Sequence, residues 1–234
     1  MSGLLLERKD DMYKYELLNN HYVVNIGDDK FLIDTGRPDS FVFEDRPRDI
    51  EINGKPFTFG SNTMDEEATR VTMELVGTQL TGFIGARILF QTGLTIYKNG
   101  ELYFENKAVA GGHTLPFVGG PIIEAVVNGV RGRFFIDTGA KYGYTERRLI
   151  PSGEPIERNV HDFSPMREIR HMHSDIYNIN VEIDGMHKTV PAGYNQKTIN
   201  RPVGMGEILL IGNITTLFDE VCVIDFGNRR LILK

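Results

Sequence analysis

The chain has 234 residues, 41% hydrophobic and 25% charged, enough for a packed core, which excludes disorder of the whole chain. A formal charge of −6, with no long run of Lys or Arg, excludes a broad basic footprint for nucleic acid. The single cysteine, Cys222, excludes an intramolecular disulfide, and no stretch reaches the roughly 18 apolar residues of a membrane span.

Near the start, Leu4, Leu5 and Leu6 fall short of a secretory hydrophobic region, so a cytoplasmic location is expected. Tyr13 to Leu18 and His21 to Ile26 flank Asn19-Asn20 and read as a hairpin. Gly27 and Asp28 then turn the chain into an apolar run, Phe31-Leu32-Ile33, that meets Asp34-Thr35-Gly36. Asn53-Gly54 between alternating segments predicts another hairpin. The polar segment Ser61 to Arg70 has no hydrophobic face and reads as a loop, and Asp65-Glu66-Glu67 within it lacks the ligand spacing of a calcium site. Phe83-Ile84-Gly85, a short helix over Ala86 to Gln91 and a hairpin around Asn99-Gly100 close the first half.

Asn106 to Gly120 is rich in Gly and Ala and carries Pro116, which sets a boundary. The expected division is 1–107, a linker 108–119, and 120–234. Gly111-Gly112 and Gly119-Gly120 belong to this linker, since neither follows a strand nor opens a helix as a phosphate-binding loop would.

The second half repeats the plan. Asn128-Gly129 turns the chain into Phe134-Phe135-Ile136, which meets Asp137-Thr138-Gly139. Asp184-Gly185 predicts a hairpin, Leu210-Ile211-Gly212 matches the earlier Gly85 element, and a short helix is expected over Asn213 to Phe218. Cys222 reads as a buried strand residue. Turn signals every 8–12 residues or so, with little helical periodicity, predict an all-β fold. The second half is longer by about two dozen residues between its Asp and its Gly212, so a duplicated domain is indicated rather than an array of short repeats.

One Asp-Thr-Gly could be nothing more than a tight turn. Two copies, each led in by an apolar run and each followed by an apolar-Ile-Gly element, call for a common explanation. Brought together, such loops would set two carboxylates within hydrogen-bond reach, where they cannot both ionise comfortably and share a proton. The ionised member can take a proton from water while the protonated member donates to the carbonyl under attack. That is hydrolysis of an amide without a covalent intermediate.

These motifs resemble the aspartic peptidases, and more closely their retroviral-type branch. The resemblance covers about residues 20–105 and 120–234. It implies two retropepsin-like closed β-barrel domains in one chain, related by pseudo-twofold symmetry, each with one short helix. It implies an aspartic endopeptidase acting on a peptide or protein substrate as a monomer, with no cofactor, no nucleic acid and no membrane partner. Carried over, Asp34 and Asp137 match the catalytic aspartates. Thr35 and Thr138 match the threonines that lock the loops, and Gly36 and Gly139 the glycines that follow. Gly85 and Gly212 match the glycine of the strand threading beside each loop.

A flap over the substrate is expected at roughly Asp162 to His173, in the second half only, with Phe163, Met166 and Ile169 among the substrate contacts and Tyr142 and Tyr144 as further candidates. Ala140 follows the second motif as in the family, whereas Arg37 follows the first, where family members carry a small residue. A cation there would lower the apparent pKa of the pair or bind a substrate carboxylate. Impaired activity, leaving a peptide-binding module on the same fold, is the alternative. The proposed flap also lacks glycines. His171 and His173 share a strand face, with His161 and His187 not far away, but a metal site needs three or four converging ligands, so no metal is expected.

Overall fold

The structure is a computed structural model and describes residues 11–163, 171–194 and 207–234, with the side chain of Phe163 outside that description. The protein is mostly β, 51% strand against 10% helix. Turn chemistry decides where the strands reverse. β1 (Tyr13–Leu18) and β2 (His21–Ile26) form the first hairpin, and Asn19 and Asn20 take the positive φ, 47° and 67°, that a two-residue turn requires. β3 (Asp29–Asp34) runs back along β2, and β4 (Phe41–Val42) follows. Asn53-Gly54 joins β5 (Arg48–Ile52) to β6 (Lys55–Phe59) as expected.

α1 (Glu66–Val76) comes next, then β7 (Gly82–Gly85), α2 (Ala86–Thr92), β8 (Leu94–Tyr97), β9 (Glu101–Tyr103) and β10 (His113–Pro116). β11 (Ile122–Val127) and β12 (Val130–Ile136) are joined at Asn128-Gly129. β13 (Gly143–Thr145) precedes β14 (Glu157–Phe163). β15 (His171–Ile183) and β16 (Met186–Tyr194) meet at Asp184-Gly185, and β17 (Ile208–Gly212), β18 (Val221–Asp225) and β19 (Arg230–Leu233) complete the series.

β11, β12, β17, β13, β16 and β15 pair in that order, and β15 returns to β11, which closes a six-stranded barrel. β14 extends it along β15. Ile179, Val181 and Ile183 alternate into its core with exposed residues between them, the period-two pattern of a half-buried strand. The other large sheet runs β10-β19-β18-β8-β9-β1-β2-β3-β7-β4, so β18 and β19 lie among strands from the first 116 residues. Cys222 is buried there, opposite Ile96 on one side and Leu233 on the other.

β3 is covered on both faces. Phe31 and Ile33 join the main core with Tyr22, Val24 and Ile84, whereas Leu32 packs with Val23, Phe83 and Val76 of α1. A strand buried on both sides has no polar face to show, hence its unbroken apolar run. Burying each such side chain is worth about 1.5–3 kcal/mol relative to leaving it in water.

Two expectations need correction. Ser61 to Arg70 is not wholly loop, because α1 begins inside it. The Asp65 side chain accepts a hydrogen bond from the Ala68 amide, acidic Glu66 and Glu67 occupy the first turn, and Gly77 ends the helix at φ 88°. Asn213 to Phe218, in contrast, forms a turn and no helix. Asn213 Oδ1 accepts from the Thr215 amide, a local bond that competes with helix formation, and Thr215 and Thr216 are β-branched. Both α-helices among the described residues therefore fall in the first half, and the second half has a one-turn 3-10 helix at Arg147–Leu149. No helix among them is long and apolar enough to cross a membrane.

Candidate active site

Each Asp-Thr-Gly follows a strand that has a parallel neighbour ending in glycine. Asp34 at the end of β3 lies opposite Gly85 of β7, and Ile136 at the end of β12 lies opposite Gly212 of β17. The Asp137 amide donates to Gly212 O at 2.8 Å. Neither glycine leaves room for a side chain. A Cβ on Gly85 would sit 2.5 Å from Asp39 O and 2.8 Å from Arg37 O, and one on Gly212 would sit 2.6 Å from Gly143 Cα. The obstacles are backbone, so they cannot rotate away. Gly85→Ala is expected to displace the Arg37–Asp39 segment and lower stability by about 1–3 kcal/mol, read as a lower urea midpoint. An unchanged midpoint would mean that this segment moves freely.

The two loops hold each other reciprocally. Thr35 Oγ1 donates to Ile136 O and Thr138 Oγ1 to Ile33 O, both at 2.8 Å. Each hydroxyl also accepts from the other threonine's amide at 3.0 Å. Both threonines are buried. This lock brings Gly36 against Asp137 and Gly139 against Asp34: a Cβ on either glycine would lie 2.5 Å from the opposite carboxyl carbon. Glycine is required here by close approach, since neither residue has the left-handed φ.

Asp34 and Asp137 are hydrogen-bonded to each other through their side chains. Burial pushes the Asp34 carboxyl above the usual carboxylate range. The Arg37 charge opposes that rise, and so do the neighbouring Gly36 and Arg37 amides. Burial, and then the Asp34 charge, push Asp137 well above its usual range, although the Gly139 amide donates to Asp137 Oδ1 at 3.0 Å. Two buried acids that both resist ionisation hold one proton between them, and the proton belongs to the pair rather than to one member.

Arg37 sits beside Asp34, as its influence on that carboxyl requires. Its guanidinium lies 4.3 Å above the Phe41 ring and 5.6 Å from that of Phe83, and Nη2 donates to Thr63 Oγ1 at 3.4 Å. Ala140 is held by its backbone, its amide donating to Asp137 O and its carbonyl accepting from Asn213 Nδ2 at 2.9 Å. Asn213 also donates to Asn20 O at 2.6 Å, tying the second loop to the first hairpin, a role with no signal in the sequence beyond its place after Gly212.

A cavity of about 60 Å³ opens beside Asp34 and Gly139. Leu32, Met64, Leu75 and Phe83 supply apolar walls, and His21 and Asp162 stand at its polar part. Burial lowers the His21 pKa, which favours the neutral ring. Tyr144, buried, hydrogen-bonds Asp162, while Tyr142 donates to Glu157 at 2.6 Å. Leu75 reaches the cavity through α1 and Met64 stands just before its Asp65 cap, so neither is visible to a reading that takes this segment as loop. His21 comes from a distant hairpin and carries no local signal.

Of the expected flap, β14 up to Phe163 and β15 from His171 are present as paired strands, with Phe163 opposite His171. The side chain of Phe163, and Met166 and Ile169 altogether, lie outside the described residues. His161 stacks on His171 and on His173, with centroids 5.2 and 4.9 Å apart, and His171 Nε2 is 3.6 Å from Glu67 of α1. Among the described residues no group of three or more potential ligands is arranged to hold a metal ion.

What this arrangement can do is proton exchange at one point: a carboxyl pair, one proton, and an apolar cavity alongside. No protein-family model matches the sequence, and no curated protein matches it.

Proposed function

We propose that the protein is an aspartic endopeptidase of the retroviral type, with both halves of the site supplied by one chain. The observation that carries this reading is the hydrogen-bonded Asp34–Asp137 pair with both carboxyls raised by burial. One carboxylate takes a proton from water while its protonated partner polarises the scissile carbonyl, and the roles reverse as the amine leaves. The reciprocal threonine bonds support it, because they hold the carboxyls in register without reorganisation during the reaction. On this reading the two loops are related by a pseudo-twofold axis and the β14–β15 hairpin covers the substrate. The direct test is cleavage of a diverse peptide library, scanned from acid to neutral pH because the pair works with one carboxyl ionised and the other protonated. No cleavage across that range would sink the hydrolytic reading.

A peptide-binding module on the same fold is the second reading, favoured by Arg37, whose charge draws Asp34 toward the ionised form. Peptide binding without cleavage would favour this second reading, and where cleavage is seen the role of Arg37 is read from its pH dependence. Removing a cation that favours ionised Asp34 raises the pKa of the pair, so Arg37→Ala is expected to move the acidic limb of the kcat/KM profile to higher pH. A limb that stays in place would mean that the Arg37 charge does not reach the reacting pair.

A further inference from the structure

We propose that Arg37 is a specificity-determining residue that receives a carboxylate of the bound peptide, so that this cleft favours substrates with an acidic group beside the bond presented to Asp34 and Asp137. This rests on the reading of the paired loops as a peptide site. Arg37 directly follows Gly36, and its carbonyl is fixed by the Ala86 amide at 2.8 Å. Its side chain runs along the cavity rim, for two of its contacts, Phe83 and Thr63, are respectively a cavity wall and the neighbour of another, Met64.

Among the described residues no carboxylate oxygen lies within ion-pair distance of Arg37, and its Nε is buried without a hydrogen-bond partner. Asp39, the nearby acid outside the pair, is engaged 3.0 Å from Arg87, and Asp34 is hydrogen-bonded to Asp137. A guanidinium offers five N–H donors in a planar fork, of which one is spent here, at 3.4 Å. A partly buried cation held flat on aromatic rings has already lost part of its hydration, so an incoming anion gains more from it than from an exposed arginine. The fork matches a carboxylate in two parallel bonds. A phosphate dianion would bring twice the charge up to Asp34, so the singly charged carboxylate is favoured. Two sources share this chemistry, the side chain of Asp or Glu and the terminus of a peptide.

The test is a set of peptides that differ only in Asp or Glu against Asn or Gln at each position, every one made with a free and an amidated C-terminus. Binding is measured by calorimetry and cleavage by kcat/KM, for the wild type, Arg37→Ala and Arg37→Lys. The wild type is expected to prefer the acidic peptide by about tenfold, as one charge-assisted contact supplies. Arg37→Ala should bring the ratio to near one, and Arg37→Lys should keep part of it. Loss of the preference on amidation alone assigns the contact to the peptide terminus; loss on side-chain replacement assigns it to Asp or Glu. Because Arg37→Ala removes packing on Phe41, wild-type selectivity is also followed against salt, and it should fall as ionic strength rises. A wild type that binds acid and amide equally, or binds neither, or an Arg37→Ala protein with unchanged preference, overturns the proposal. Selective binding without any cleavage supports it while defeating the hydrolytic reading.

Discussion

Asp34→Asn and Asp137→Asn are each expected to lower peptide cleavage by about a hundred- to ten-thousand-fold, the range that a positioned acid or base supplies. Losing either member should cost nearly as much as losing both, because the proton is shared and neither half does its part alone. The same variants carry a stability signature of opposite sign. Both carboxyls are raised in the folded protein, Asp137 well above its ordinary value. A group whose folded pKa is raised contributes stability that is complete below the unfolded value, about 3.9, and is lost as pH climbs through the folded one. Asparagine cannot ionise and escapes this loss. Asp137→Asn should therefore melt above the wild type once pH exceeds about 4, with the gap widening toward neutrality. Calorimetric melting from acid to neutral pH checks this, and parallel curves for the two proteins would show that Asp137 is not held protonated by the fold.

The second large effect concerns the threonine lock. Thr35→Val or Thr138→Val keeps the shape but leaves a buried carbonyl and a buried amide of the facing loop without partners. Each orphaned group costs about 1–3 kcal/mol, so a single substitution should remove a large share of the stability of an ordinary domain. The double variant should cost less than the sum, since loops loosened by the first change have less left to lose. Thr→Ser, which retains the hydroxyl, should stay close to wild type. Urea midpoints with unchanged slopes provide the measurement. A loss below about 1 kcal/mol for Thr35→Val would mean that water replaces the hydroxyl and that the loops are not held by it.

The strands and the carboxylate loops were legible in the sequence because their signals are local. Asn53-Gly54, Asn128-Gly129 and Asp184-Gly185 each combine a residue that tolerates positive φ with a glycine, and each reverses a hairpin. α1 was legible too, had the window not been closed at Arg70. Ala68, Val71, Thr72, Leu75 and Val76 follow the i, i+3, i+4, i+7, i+8 pattern of a helix face, between a capping Asp65 and a terminating Gly77. Asn213 to Phe218 went the other way because six residues gain too little from helical bonds to outweigh one local side-chain bond. The cavity was not legible at all. His21, Leu75, Phe83 and Asp162 converge on Asp34 from four separate segments, and nothing in their spacing encodes that meeting.

The sheet that carries β18 and β19 between strands of the first half has a consequence for timing. Val221 pairs with Tyr97, and Leu233 with both Cys222 and His113, so β8 and β10, strands of the first half, gain these neighbours only after nearly the whole chain is available. Such long-range pairing is slow to form. A growing polypeptide that has emerged as far as Gly36 carries a lone carboxylate in water, ionised and harmless, with no second acid to hold a proton beside it. The carboxyl pair is assembled late, once Asp137 has been made and the two threonines have locked the loops together.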